Sequence, residues 1–153
     1  MTAALHMLLE HSERQRDDML LALQRAEAHA RRLQQQADQL GAYRADYERR
    51  GPTQAGRSSG MEVVNVHTGF IGRLGQALEQ HQGQQQGAEA QVQRLRAALL
   101  PLELRVAAVR KLLERRELAQ RSVDSRRDQR QTDEAAQQLL WRAAVAQQAS
   151  SLG

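Results

Sequence analysis

The sequence predicts an all-α protein, a long two-helix antiparallel coiled-coil hairpin whose second helix is longer than its first. Three observations lead there: a composition of strong helix formers, two heptad seams, and one Gly/Pro/Ser-rich break between them. Only 3% of the 153 residues are aromatic, and the hydrophobic residues are largely Ala and Leu, so a thick globular core is not expected. Ala, Leu, Gln, Glu and Arg dominate, and their unbranched or small side chains lose little freedom on a helix. With heptad spacing, that composition reads as coiled coil.

The first helix is expected over residues 1–50. Alternating steps of four and three visit Leu5, Leu9, Ser12, Arg16, Met19, Leu23, Ala26, Ala30, Leu33, Ala37, Leu40, Arg44 and Tyr47, of which ten of thirteen are apolar. This narrow two-position stripe is how one helix packs on another. Residues 51–60 concentrate Gly, Pro and Ser, carry no seam, and form the loop. A second helix paired with the first is expected over 61–113. Its seam runs Val64, His67, Ile71, Leu74, Leu78, His81, Gln85, Ala88, Val92, Leu95, Leu99, Leu102, Val106, Val109 and Leu113, twelve of fifteen apolar. The unbroken 3.5-residue period implies a left-handed supercoil, and the short loop makes the partner the same chain, antiparallel. A continuous dimer of parallel chains is the alternative architecture.

Gly69, Gly72, Gly75, Gly83 and Gly87 each cost about 1 kcal/mol relative to Ala, and Pro101 removes a hydrogen bond and is expected to kink the helix. The loop-proximal end is therefore expected to be the looser one. At 1.5 Å per residue the arms are unequal, roughly 70 Å against roughly 130 Å. A fold about residues 55 and 56 sets Leu5 opposite Val106. Residues 114–153, an Arg-rich helical extension and tail, then have no partner within the chain and need another protein or fray.

No Cys is present, which excludes a disulfide framework, a Cys-based zinc site and a thiol nucleophile. No phosphate loop precedes Lys111, the one lysine, and the five histidines show no His-Glu-x-x-His spacing. No cofactor or metal is expected. Glu10, Glu13 and Arg14 interrupt the apolar start before a signal core or membrane span develops. The expectation is a cytoplasmic, non-enzymatic binding protein.

The net charge is +4, and between Arg105 and Arg130 nine basic residues stand against four acidic ones. That region fits an acidic protein surface or phosphates, or is simply a solvated face. It lacks aromatic interleaving, and its Arg residues are expected to circle the helix rather than form one stripe, which weighs against nucleic acid. Tyr43, Tyr47 and Phe70 gather near the loop, either thickening the seam or forming an exposed docking patch.

Several segments resemble the flagellar export protein FliJ family. They are Leu40 to Tyr47 with its Tyr-x-x-x-Tyr element, Phe70 to Leu74, Leu78 to Gln82, Leu112 to Arg116, and the Arg-rich run Arg126 to Ala135 with its Asp133-Glu134 pair. The resemblance implies a component of the bacterial flagellar type III export apparatus, similar in build to the central stalk of rotary ATPases. In such proteins the end carrying both termini enters the export ATPase ring and promotes its assembly. The loop end reaches the cytoplasmic domain of the membrane export gate, and export chaperones are also handled.

Carried onto this chain, the gate-contacting cluster falls on Gln36, Leu40, Tyr43, Tyr47, Phe70, Leu74, Ala77 and His81. Ring contacts fall on the terminal Arg-rich helix, at Arg110, Lys111, Arg115, Arg116, Arg126 and Arg127. The implied place is the cytoplasmic face of the inner membrane at the flagellar base, with no insertion into it. The rival readings are a basic helical nucleic-acid-binding protein and the corresponding stalk of a virulence-type secretion system.

Overall fold

A computed structural model describes residues 2–54 and 60–153; the centre of the expected loop, residues 55–59, lies outside the described residues. The described chain is two α-helices, α1 (Thr2–Gln54) and α2 (Met61–Ser151), with no strand. They form the helical hairpin that the heptads predict, and α2 is the longer. The seam explains the burial. All thirteen α1 seam positions are buried or half-buried, as are fourteen of the fifteen in α2, Val64 being the exception. Leu23, Val92 and Leu99 form the core cluster, flanked by Met19, Leu20, Ala26, Ala30 and Leu95. Each fully buried Leu or Val contributes about 1.5–3 kcal/mol, so a core one residue wide holds the helices with a short list of contacts.

The chain divides into two compact units, one of Ser12–Leu104 and one combining Met1–His11 with Arg105–Gly153. Within the first, no described residue from Gln34 to Gly87 is fully buried. This is the glycine-containing stretch, where missing side chains leave less apolar surface to cover. α2 runs through Pro101 as one element. The carbonyl that loses its amide donor to Pro101 lies on an exposed face, where water satisfies it.

At Gly51 the backbone turns out of the helix, with φ 61° and ψ 171°, and α1 then resumes to Gln54. The expected end of the first helix after residue 50 therefore becomes a break followed by one more turn. A residue preceding proline is pushed out of the α region, and positive φ is free of penalty only for glycine. Pro52 then starts the resumed turn, where its fixed φ and missing N–H suit a first helical position.

The register sits one turn further along α2 than a fold about residues 55 and 56 implies. That fold would place Leu78 beside Leu33; instead the His81 Nε2–H donates to the Leu33 carbonyl at 2.6 Å. Leu78 and His81 are successive seam positions, so a shift of three residues preserves the packing. Gln85 Nε2 donates to Gln34 Oε1 at 2.7 Å, and Arg96 bridges to Glu27 at 2.9 Å. The ion pair is exposed and worth well under about 1 kcal/mol; the register is marked by His81 beside Leu33 and, at the same offset, by His67 stacked on Tyr47.

Ser12 occupies a seam position, is 1% exposed, and its hydroxyl makes no hydrogen bond. Ser12→Ala removes an unsatisfied buried group and adds helix propensity, so the hairpin gains about 1 kcal/mol in urea unfolding. A loss on that substitution would mean the hydroxyl is satisfied in solution.

Candidate functional site

In the Ser12–Leu104 unit, four turns of seam place the aromatic residues. Tyr43 and Tyr47 are one turn apart on α1, and the antiparallel register brings Phe70 against both. Ring centroids lie 6.4 Å apart for Tyr43–Tyr47, 6.3 Å for Tyr43–Phe70 and 4.7 Å for Tyr47–Phe70. Tyr47 is the hub, because His67 also stacks on it at 4.6 Å with an interplanar angle of 16°. His67 was expected only as a polar seam residue; its position one turn before Phe70 is the signal that places it in the cluster. Tyr47 and Phe70 are half-buried, whereas Tyr43 is 53% exposed. Tyr47 and Phe70 therefore thicken the seam, while Tyr43 is exposed beside them.

Beside it runs a groove of about 500 Å³ lined by Gln36, Gln39, Leu40, Tyr43 and His81. Four of these belong to the expected set. Gln39 does not, although one turn separates it from both Gln36 and Tyr43. An apolar floor of Leu40 and the Tyr43 ring, rimmed by amides, suits a protein segment presenting an apolar side chain next to backbone polar groups. Leu74 is half-buried on the seam and Ala77 is exposed on α2. His81 spends its Nε2–H on the Leu33 carbonyl, so it holds the groove wall in place.

In the other unit, α2 carries the remaining expected residues. Val106, Val109 and Leu113 are its last buried positions, and every residue from Glu114 to Gly153 is exposed. Continuing the seam beyond Leu113 meets Arg116, Gln120, Val123, Arg127, Arg130 and Glu134, so the apolar stripe ends where the burial ends.

Arg110, Lys111, Arg115, Arg116, Arg126 and Arg127 are all exposed, but Arg110 already has a polar partner within the chain. The eight Arg residues from Arg105 to Arg130 are unevenly spread around the helix, Arg110 and Arg121 lying on the side opposite the other six. At about 100° per residue, Arg115, Arg116, Arg126, Arg127 and Arg130 fall within a sector of about 120°. Glu114, Glu117, Asp124 and Asp128 lie on the opposite side, with Arg121 among them. The cause is an 11-residue spacing, close to three whole turns, that stacks Arg115 on Arg126 and Arg116 on Arg127. Arg126, Arg127 and Arg130 line a groove of about 430 Å³ with Val123, Gln131 and Glu134.

Further along, charge nearly vanishes. After Glu134 the one charged side chain is Arg142, and Leu139, Leu140, Trp141 and Val145 are exposed in different directions around the helix. Gln137, Gln138, Arg142, Gln147 and Gln148 are interspersed among them, so the apolar side chains form no single stripe. Among the described residues no cluster of His, Asp and Glu is arranged to hold a metal ion, and no helix is long and apolar enough to cross a membrane.

The family model described as Flagellar FliJ protein matches residues 1–144 of the chain. No curated protein and no solved structure matches it.

Proposed function

Because the chain belongs to the flagellar FliJ family, non-enzymatic components of the flagellar export apparatus, we propose that it acts there as a coupling rod between the export ATPase ring and the membrane export gate. The observation that carries this reading is the lone stretch of α2 after Leu113, helical to Ser151 and exposed throughout. Its Arg sector suits an acidic surface, and exposed Leu139, Leu140, Trp141 and Val145, pointing in different directions, suit a partner that touches more than one side of the helix, as a ring does. Arg115, Arg116, Arg126 and Arg127 are the ring contacts, with Arg110 and Lys111 at the edge where the hairpin packing stops.

The gate docks at the Tyr43 side of the aromatic cluster, with Gln36, Leu40 and His81 shaping the groove and Tyr47, Phe70, Leu74 and Ala77 supporting it. Export chaperones are a further class of partner. The chain then works at the cytoplasmic face of the inner membrane, held there by its partners.

The test is the activity and oligomeric state of the cognate export ATPase with the full chain, with a truncation ending at Val109, and with Tyr43→Ala. The full chain is expected to stimulate the ATPase and favour the ring, and the truncation to do neither. Tyr43→Ala should leave both effects and the helicity intact while weakening binding to the gate domain about tenfold, as loss of an interface aromatic does. No effect of the full chain on the ATPase would overturn the ring reading. The one-sided Arg sector also supports a rival, binding to nucleic acid phosphates; that reading requires DNA affinity that falls steeply with salt.

A further inference from the structure

Beyond Leu113, the charges of α2 leave one face untouched. Steps of four and three from Leu118 pass through Ser122, Ser125, Gln129, Thr132 and Ala136, and the same phase continues through Leu139 to Ser150 without meeting a charge. Nine of the twenty-one residues from Glu114 to Glu134 are uncharged, and five of those nine lie on this line. The line is not the hairpin seam, whose phase here carries Arg116, Arg127 and Arg130. This line, apolar at Leu118, Ala136, Leu139 and Ala143 with Ser, Gln and Thr between, is a second heptad-spaced face of the lone helix along which another helix meets no charge.

We infer that this face pairs with the same face of a second copy of the chain, antiparallel and centred between Gln129 and Thr132. In that register Leu118 meets Ala143 of the other copy, Ser122 meets Leu139, Ser125 meets Ala136 and Gln129 meets Thr132, each twice by symmetry.

Charge selects the orientation. A parallel pair in register sets Arg121 against Arg126 and Asp128 against Asp133, like against like. The antiparallel pair sets Arg126 against Asp133 on both sides and lays the charged half of each helix along the uncharged half of the other. The like-charge contact of Arg121 with Arg142 also occurs twice, at the rim, so the antiparallel pair has two repulsions offset by two attractions where the parallel pair has four repulsions and none offset.

Size sets the strength. An overlap from Leu118 to Ala143 is about 40 Å long and about 10 Å wide, hence about 800 Å² over both copies, below the roughly 1,200 Å² at which stable interfaces begin. The dimer is therefore weak and reversible, and it exchanges for a stronger partner. It stands independently of the ring and gate assignments.

Sedimentation velocity of the full chain, from micromolar to hundreds of micromolar, is expected to show a monomer–dimer equilibrium. Leu139→Asp abolishes it without altering helicity, because Leu139 is 66% exposed on the lone helix. Arg126→Asp and Asp133→Arg each weaken it about tenfold by turning two attractions into repulsions, and the double swap restores it.

The chain has no cysteine, so introduced ones report contacts directly. A mixture of Ser122→Cys chains and Leu139→Cys chains cross-links on oxidation, whereas either alone does not. A monomer throughout that range, dimers indifferent to Leu139→Asp, failure of the charge swap, or cross-linking of each single variant with itself would each overturn the proposal.

Discussion

Replacing Gly69, Gly72, Gly83 and Gly87 together by alanine raises the melting temperature by about 10 °C. A glycine inside a helix costs about 0.8–1 kcal/mol relative to alanine, because it surrenders more backbone freedom on folding. That gain is realised only where the added methyl group fits. A Cβ built at any of these four positions meets nothing within 4 Å, and none of them has positive φ.

With no shared neighbours the four effects add, to about 3–4 kcal/mol, and a chain of this size gains about 2–4 °C per kcal/mol. Gly75 is left out because its Cβ would sit 3.7 Å from the Arg44 guanidinium. That is ordinary contact, but it touches the side chain that pairs with Glu48. Thermal unfolding followed by circular dichroism measures the shift. An unchanged or lower melting temperature would mean that these glycines hold a backbone geometry other than the regular helix.

Leu99→Ala is expected to have the opposite effect, a loss of about 2–3 kcal/mol, while Leu139→Ala changes stability by less than about 0.5 kcal/mol. Both are leucines on the same helix. Leu99 belongs to the buried cluster with Leu23 and Val92, and truncation there forfeits transfer free energy and leaves a cavity. Water reaches a two-helix core easily, which keeps the cost near the lower end of the usual 2–5 kcal/mol range. Leu139 is exposed and has no neighbour to lose in the monomer. Denaturant unfolding of the two variants beside the parent separates them. Equal losses would mean that the end of α2 packs on the hairpin in solution.

The seams were legible because heptad spacing is a local property. Side chains three and four residues apart share a face whatever the rest of the chain does. So the stripe from Leu5 to Tyr47, and the one from His67 to Leu113, locate the buried positions without knowledge of the partner. The end of burial at Leu113 was legible for the same reason, since the next seam position is Arg116 and the apolar stripe stops there. The lean of six of the eight Arg residues to one side was hidden because heptad counting passes over an 11-residue spacing. Arg115 over Arg126 and Arg116 over Arg127 become visible only when the lone helix is followed as a straight rod.

Composition, seam and break by themselves determined the class of fold, the face each helix buries and the unequal arms, and the Tyr-x-x-x-Tyr, Phe-centred and Arg-rich segments carried the resemblance that the family match to residues 1–144 bears out. Only the tertiary structure decided which turn of α2 lies beside which turn of α1. Adjacent seam positions three or four residues apart pack almost equally well, so the apolar pattern alone leaves the register free by a turn. The choice falls to a few directional contacts, His81 to the Leu33 carbonyl and His67 stacked on Tyr47. They make Tyr47 the hub of the aromatic cluster and leave Tyr43 exposed beside it.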